Sequence, residues 1–284
     1  MRIWRLSPAI LILLAACVDL SAVTKFAQTA PDVTKLDALT DVYVSDLQTL
    51  SDYAAIWQSP DPDLQKNIAL RQSEKVTFDD LHALIVNYIK AVGGLAGASA
   101  TDLSTQAKSV GTNLTALQKK DPHILSTAQV SSLSDLILVV PQGVLNIWRE
   151  SEIGSIIKQN QKAFHVMVST EITIVQNVYL LDFDNTKGQV VGDRDHMKSD
   201  LGRSGGSSAI RAAQFTFQRD AASDIARLDA ATAAAKQYVS ALTSLAKAYD
   251  TLVDQSGHFS AATLQAILPD LMAAQKAYQD IKSY

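Results

Sequence analysis

Between Ile153 and Phe183 the chain reads IGSIIKQNQKAFHVMVSTEITIVQNVYLLDF. Ile153, Ile156, Ile157, Phe164, Met167, Val168, Ile174, Val175, Val178 and Leu181 recur there in steps of three and four, the mark of one helix with a wide buried face. The pattern reaches back to Ser126. Ser126 and Gln129 have capping-box spacing, and Leu125 and Val130 the spacing of a hydrophobic staple. A helix from Ser126 to Phe183, about 58 residues, would run about 87 Å. It must bury its stripe against other long helices. The expected fold is therefore all-α: an elongated helical bundle of about six helices, two of them very long.

The other helices follow from the same periodicity. Asp32 to Ser59 carries Leu36, Leu39, Tyr43, Leu47, Leu50, Ala54 and Trp57 on one face. Pro60 ends it, and Pro62 opens a short helix to Lys75. Thr77 with Asp80, and Val76 with Leu81, predict a new start at Thr77. That helix bends at Gly93-Gly94-Leu95-Ala96-Gly97 and stops at Lys119-Lys120-Asp121-Pro122. Within Leu136-Ile137-Leu138-Val139-Val140-Pro141 the proline predicts a kink in the central helix. Ala209 to Asp254 is the second very long helix, rich in alanine along its middle. Phe259 and Leu264 staple a last helix, capped by Ser260 and bent near Pro269.

Asp182 to Ser208 has Gly188, Gly192, Gly202, Gly205 and Gly206 among many charges. It reads as a loop of about 25 residues, and long loops carry function more often than short ones. Asp182, Asp184, Asp193, Arg194, His196 and Arg203 are its candidate contact residues.

The N-terminus adds a second kind of information. Met1-Arg2-Ile3-Trp4-Arg5, an apolar run from Ala9 to Ala16 and then Cys17 make a secretory signal, too short in its core to span a bilayer. Leu14-Ala15-Ala16-Cys17 resembles the lipobox of bacterial lipoproteins. The resemblance implies cleavage before Cys17, diacylglycerol on the Cys17 sulfur and an acyl chain, such as palmitate, on its amine. Lipidated Cys17 would bind the membrane. Asp at the following position would direct retention in the inner membrane of enteric bacteria. Here Val18 follows and Asp19 comes one place later, so the outer membrane is favoured, facing the periplasm. The chain thus divides into a signal peptide over residues 1–16, a lipid-anchored tether over 17–31 and one helical-bundle domain over 32–284.

Cys17 is the single cysteine, so the mature part has no internal disulfide and must rely on its core. Losing Arg2 and Arg5 from 25 basic residues leaves 23 against 29 acidic ones, a net charge of −6 with histidine neutral. A mildly acidic chain without a basic cluster is a poor nucleic-acid binder.

Reactive constellations are weak. Asp182-Phe183-Asp184-Asn185-Thr186-Lys187-Gly188 starts like a calcium loop, but Lys187 stands where that loop needs glycine and Asp193 where it needs glutamate. Asp193, Asp195 and His196 are metal-ligand types without a histidine pair at helical spacing. The five histidines, His82, His123, His165, His196 and His258, are scattered and read as surface residues. Gly202-Arg203-Ser204-Gly205-Gly206-Ser207-Ser208 lacks the lysine of a phosphate loop and reads as a hinge. Glu171 sits in the apolar stripe, where an unpaired carboxylate would titrate high. A rim position, or pairing with Arg211 or Arg219, explains it with fewer assumptions. No nucleophile elbow is present. The expectation is a lipid-anchored envelope protein that works through a protein partner, without cofactor, metal or catalytic residues. Two alternatives stand beside it: an envelope enzyme using carboxylates or a metal around Glu171 or Asp193, and a membrane-perturbing protein using the apolar run Leu133 to Trp148.

Overall fold

The computed structural model describes residues 19–29, 33–57, 62–96, 104–120, 150–203 and 207–280. These form an all-α helical bundle, with no strand among the described residues. The Ser126 helix start, the Pro141 kink, the Leu133–Trp148 run and Cys17 lie outside the described residues.

The chain enters through a short helix, α1 (Ser21–Gln28). The Asp19 carboxylate accepts the Ser21 backbone N–H at 3.0 Å, satisfying one of the free amides of the first turn. Ala22, Val23 and Phe26 are fully buried. Within the expected tether over residues 17–31, the part from Ser21 to Gln28 is thus a helix docked on the core. Val23 and Phe26 lie one turn apart, and their apolar area is larger in energetic effect than the polarity of their neighbours.

Helices α2 (Val33–Trp57) and α3 (Pro62–Ala96) pair side by side. α3 runs unbroken through Lys75-Val76-Thr77, which corrects the predicted start at Thr77. No Gly or Pro interrupts residues 63–92, and Val76 is 59% exposed, so the staple never forms. Gly93 lies inside α3 because the helix is covered there by α1: a Cβ at Gly93 would overlap that of Ala27. Helix α4 (Ser104–Lys120) packs on α3.

The stretch that decides the fold is α5 (Glu150–Gln159), α6 (Gln161–Ile174), a π-helical turn (Val175–Tyr179) and α7 (Leu180–Arg203). Asn160 separates α5 from α6, and its side-chain amide donates to the Ile156 carbonyl at 2.9 Å. The π turn adds one residue to a turn and so rotates everything after it. Leu181, expected on the buried stripe, is 58% exposed, while Tyr179, Phe183, Thr186 and Val190 face inward. The predicted loop from Asp182 to Ser208 is corrected as well: it is helical to Arg203. The glycines there weaken helix propensity, but burial of Phe183 and Val190 overrides it.

Helix α8 (Ser208–Asp254), 47 residues, spans about 70 Å. The Ser207 hydroxyl caps it by accepting the Ile210 N–H. Ala221, Ala231, Ala234, Ala235, Ala241 and Ala248 are buried, so α7 and the last helix, α9 (Ala261–Asp280), pack closely against it. Ser260 and Thr263 cap α9 reciprocally. The core has two parts. The larger one holds Phe26, Tyr88, Phe164 and Tyr249, with the Phe164 and Tyr249 rings stacked at 4.3 Å. The smaller, towards the α7–α8 connection, joins Leu47, Leu50, Tyr53, Ile68, Val190, Phe217 and Ala221.

Candidate functional site

Polar side chains converge inside the bundle at two places. The first lies where α2, α3 and α7 meet. Arg71 reaches from α3 and uses one nitrogen, Nη1, for Asp46 of α2 and for the Tyr43 carbonyl at 2.8 Å. Its other nitrogen, Nη2, meets Asp182 of α7 at 2.5 Å. The guanidinium carbon stands 4.5 Å from the centre of the Tyr43 ring, a cation–π contact. Tyr43 donates its hydroxyl proton to Glu74 Oε2 at 2.6 Å. Thr186 donates to Asp46 Oδ2 at 3.1 Å. Residues on three helices thus gather three carboxylates around one guanidinium.

That imbalance sets the electrostatics. Burial pushes Asp182 up to about 7; Arg71 opposes the rise, and Asp46 and Glu74 reinforce it. Burial also raises Asp46, against the pull of Arg71 and Thr186. The Tyr43 hydroxyl is driven upward by burial and then by the Glu74 charge. Two clefts flank the pair formed by Arg71 and Asp182. One, of about 290 Å³, is bounded by Tyr43, Asn67, Glu74 and Asn177. The other, of about 560 Å³, is bounded by Asp184, Asn185, Gly188 and Gln189.

The second place lies deeper. Tyr238 of α8 donates to Glu171 Oε1 at 2.9 Å and stands 2.5 Å from His82 Nδ1. A hydroxyl has one proton, so donation to Glu171 leaves Nδ1 as the donor to Tyr238. His82 is fully buried and Glu171 is 3% exposed. This corrects two expectations: His82 is a core residue, and Glu171 is neither at the rim nor paired with Arg211 or Arg219. Both follow from α3, α6 and α8 packing together, which turns the three polar side chains inward against one another. His82 Nε2, Glu171 Oε2 and Thr170 Oγ1 have no hydrogen-bond partner among the described residues.

The candidate contact residues do not converge. From Asp182 to Arg203 they are strung along about 32 Å of helix. Asp182 is absorbed into the Arg71 cluster. Asp184 is exposed at the second cleft. Asp193 is raised by burial, with His196 opposing. Arg194 pairs with Asp195 at 3.2 Å on the surface, and His196 is exposed. Arg203 ends α7. Among the described residues no group of three or more His, Cys, Asp or Glu is placed to hold a metal ion, and no helix is long and apolar enough to cross a membrane.

Sequence reasoning missed Asp46, Arg71 and Glu74. The signal was present: Asp46 lies between Tyr43 and Leu50 on the apolar stripe, and Arg71 and Glu74 follow Ile68 at steps of three. No protein-family model, curated protein or solved structure matches the chain.

Proposed function

We propose that the chain is a lipid-anchored protein of a bacterial envelope, facing the periplasm from the outer membrane, which acts by binding a protein partner along α7. The lipobox-like Leu14-Ala15-Ala16-Cys17 supports the anchor. The observation that carries the contact surface is the outward face of α7. Leu181, Asp184, Asn185, Gly188, Gln189, Gly192, Asp195 and His196 are exposed at helical spacing. Gly188 and Gly192 lie one turn apart on that face, and a Cβ at either would meet nothing within 4 Å. Glycine in a helix interior is unfavourable by about 1 kcal/mol relative to alanine. Among the described residues nothing packs on either glycine to offset that loss. A partner helix that must approach the α7 backbone closely would.

Catalysis is the weaker reading. The buried triad of His82, Tyr238 and Glu171 is shut off from solvent, and Asp182 in the open cluster is tied to Arg71. The test uses a photo-crosslinking residue at Gln189 and, as control, at exposed Lys236 on α8, in the native envelope. A discrete adduct from Gln189, absent from Lys236 and lost in G188L/G192L protein of unchanged circular dichroism, is expected. Identical adducts from both positions, or none from either, would refute α7 as the contact surface.

A further inference from the structure

We infer that the acylated Cys17 holds the bundle by its α1 end directly on an anionic phospholipid surface, without a tether, so that the α7–α8 tip points away from the bilayer. The inference rests on the acylation of Cys17 and adds an orientation to it. Asp19 is fixed to Ser21 by its N-terminal hydrogen bond, and Leu20 packs against the core. Three peptide steps from Cys17 to Leu20 reach at most about 11 Å. The polar layer of one bilayer leaflet is about 5–7 Å deep. Little slack remains.

The position of α1 on the body fixes which end is held. Phe26 contacts Phe164 and Tyr249, with ring centres 6.1 and 5.6 Å away. α1 is only about 12 Å long, so Ser21 lies near that aromatic group whichever way the helix points. Along α8, Ser208 is about 62 Å from Tyr249.

Charge at this end has a matching distribution. Lys25, Lys90, Lys158, Lys162 and Lys247 come from five different helices. Each lies within two residues of Phe26, Tyr88, Ile157, Phe164 or Tyr249, and these five core residues meet through ring contacts and the 2.7 Å hydrogen bond from Tyr249 to the Ile157 carbonyl. Four of the lysines are exposed and Lys25 is half-buried. None forms an ion pair among the described residues. Among the described residues the acids near this end include Asp19, Glu152, Asp250 and Asp254; Asp19 holds Ser21, and Asp250 accepts from Gln161 at 2.9 Å and lies 2.5 Å from His165. A collar of unpaired lysines within a Debye length of the headgroups is drawn to anionic lipid. Acyl chains supply the affinity and the collar the tilt.

The sole native cysteine is acylated, so an introduced cysteine is the one free thiol. Full-length acylated protein carrying Q255C or S199C is labelled with a fluorophore. It is then reconstituted in vesicles of phosphatidylcholine alone, or of three parts phosphatidylcholine to one part phosphatidylglycerol, with a headgroup-borne quencher. With the sites about 60 Å apart along the rod, quenching at Q255C should exceed that at S199C by about threefold or more in both vesicles. Twelve Gly/Ser residues inserted between Val18 and Asp19 add a slack of about 19 Å. That insertion should erase the difference in phosphatidylcholine but not with phosphatidylglycerol, unless K90E, K158E and K247E are added. Equal quenching at the two sites with the native leash overturns the orientation. A difference that the inserted protein regains equally with and without the lysines overturns the collar. The mass of the N-terminal peptide separates the two levels: an unacylated Cys17 sinks the anchor together with the orientation, whereas an acylated Cys17 with equal quenching sinks the orientation alone.

Discussion

At the α1 end of the bundle, a Cβ on Gly93 would overlap Ala27, and one on Gly154 would strike the Ser256 carbonyl. Along α7, a Cβ on Gly188 or Gly192 would enter open space. The same residue type therefore serves opposite ends. At the α1 end it lets backbones come together, and the aromatic core closes around the contact. On α7 it weakens a helix without improving any packing among the described residues. One end is built for internal stability, and the other has a helix face that no described residue covers.

The largest test of that contrast is Phe26→Ala. It removes a fully buried ring that touches two others, and should lower stability by about 3–5 kcal/mol in denaturant titration. A loss as small as that of a surface substitution would mean that α1 is not part of the core. Next comes Gly154→Ala, which meets backbone and should lose about 1–3 kcal/mol; Gly93→Ala should lose less, because α1 can move aside. Gly188→Ala and Gly192→Ala should have the opposite sign, raising stability by about 0.4–1 kcal/mol each while weakening capture of the partner. Destabilisation by either would place a contact over α7 and break the comparison.

The last test concerns pH. Asp182 titrates near 7 in the folded chain and near its ordinary value, about 3.9, when unfolded. Between those values the folded state binds the extra proton, so its stabilising effect is complete below about 4 and is lost as pH rises through 7. The melting temperature should therefore climb as pH is lowered from 8 towards 5. Asp182→Asn should flatten that slope, and an unchanged slope would assign it to another group.

Much of the fold is written in the spacing of apolar residues. The periodicity over Ile153 to Val178 and over Ala209 to Asp254 predicts the helices that form there. Leu181 departs from that pattern because a π turn changes the phase of a helix, and one extra residue in a turn has no compositional signature. α7 was illegible for another reason. Its three glycines, two more just beyond Arg203 and many charges argue for a loop, and only the neighbours that bury Phe183 and Val190 make the helix favourable. α1 was hidden likewise: eight residues are too few for a periodic signal, and the partners of Phe26 lie more than a hundred residues away. The Arg71 cluster was half legible, since an acid on an apolar stripe is visible but its cation on another helix is not. The buried triad required knowing that α3, α6 and α8 meet.

The contact between Phe26 and Tyr249 also bears on how the molecule comes into being. A ribosome makes α1 first and α8 and α9 last, yet α1 docks against both. Closing so long a loop is entropically slow, and it cannot begin before the C-terminal helices exist. Newborn α1 can meet α3 early, but the α8 and α9 side of its socket is missing until synthesis approaches its end, so the first helix is only half stowed until then.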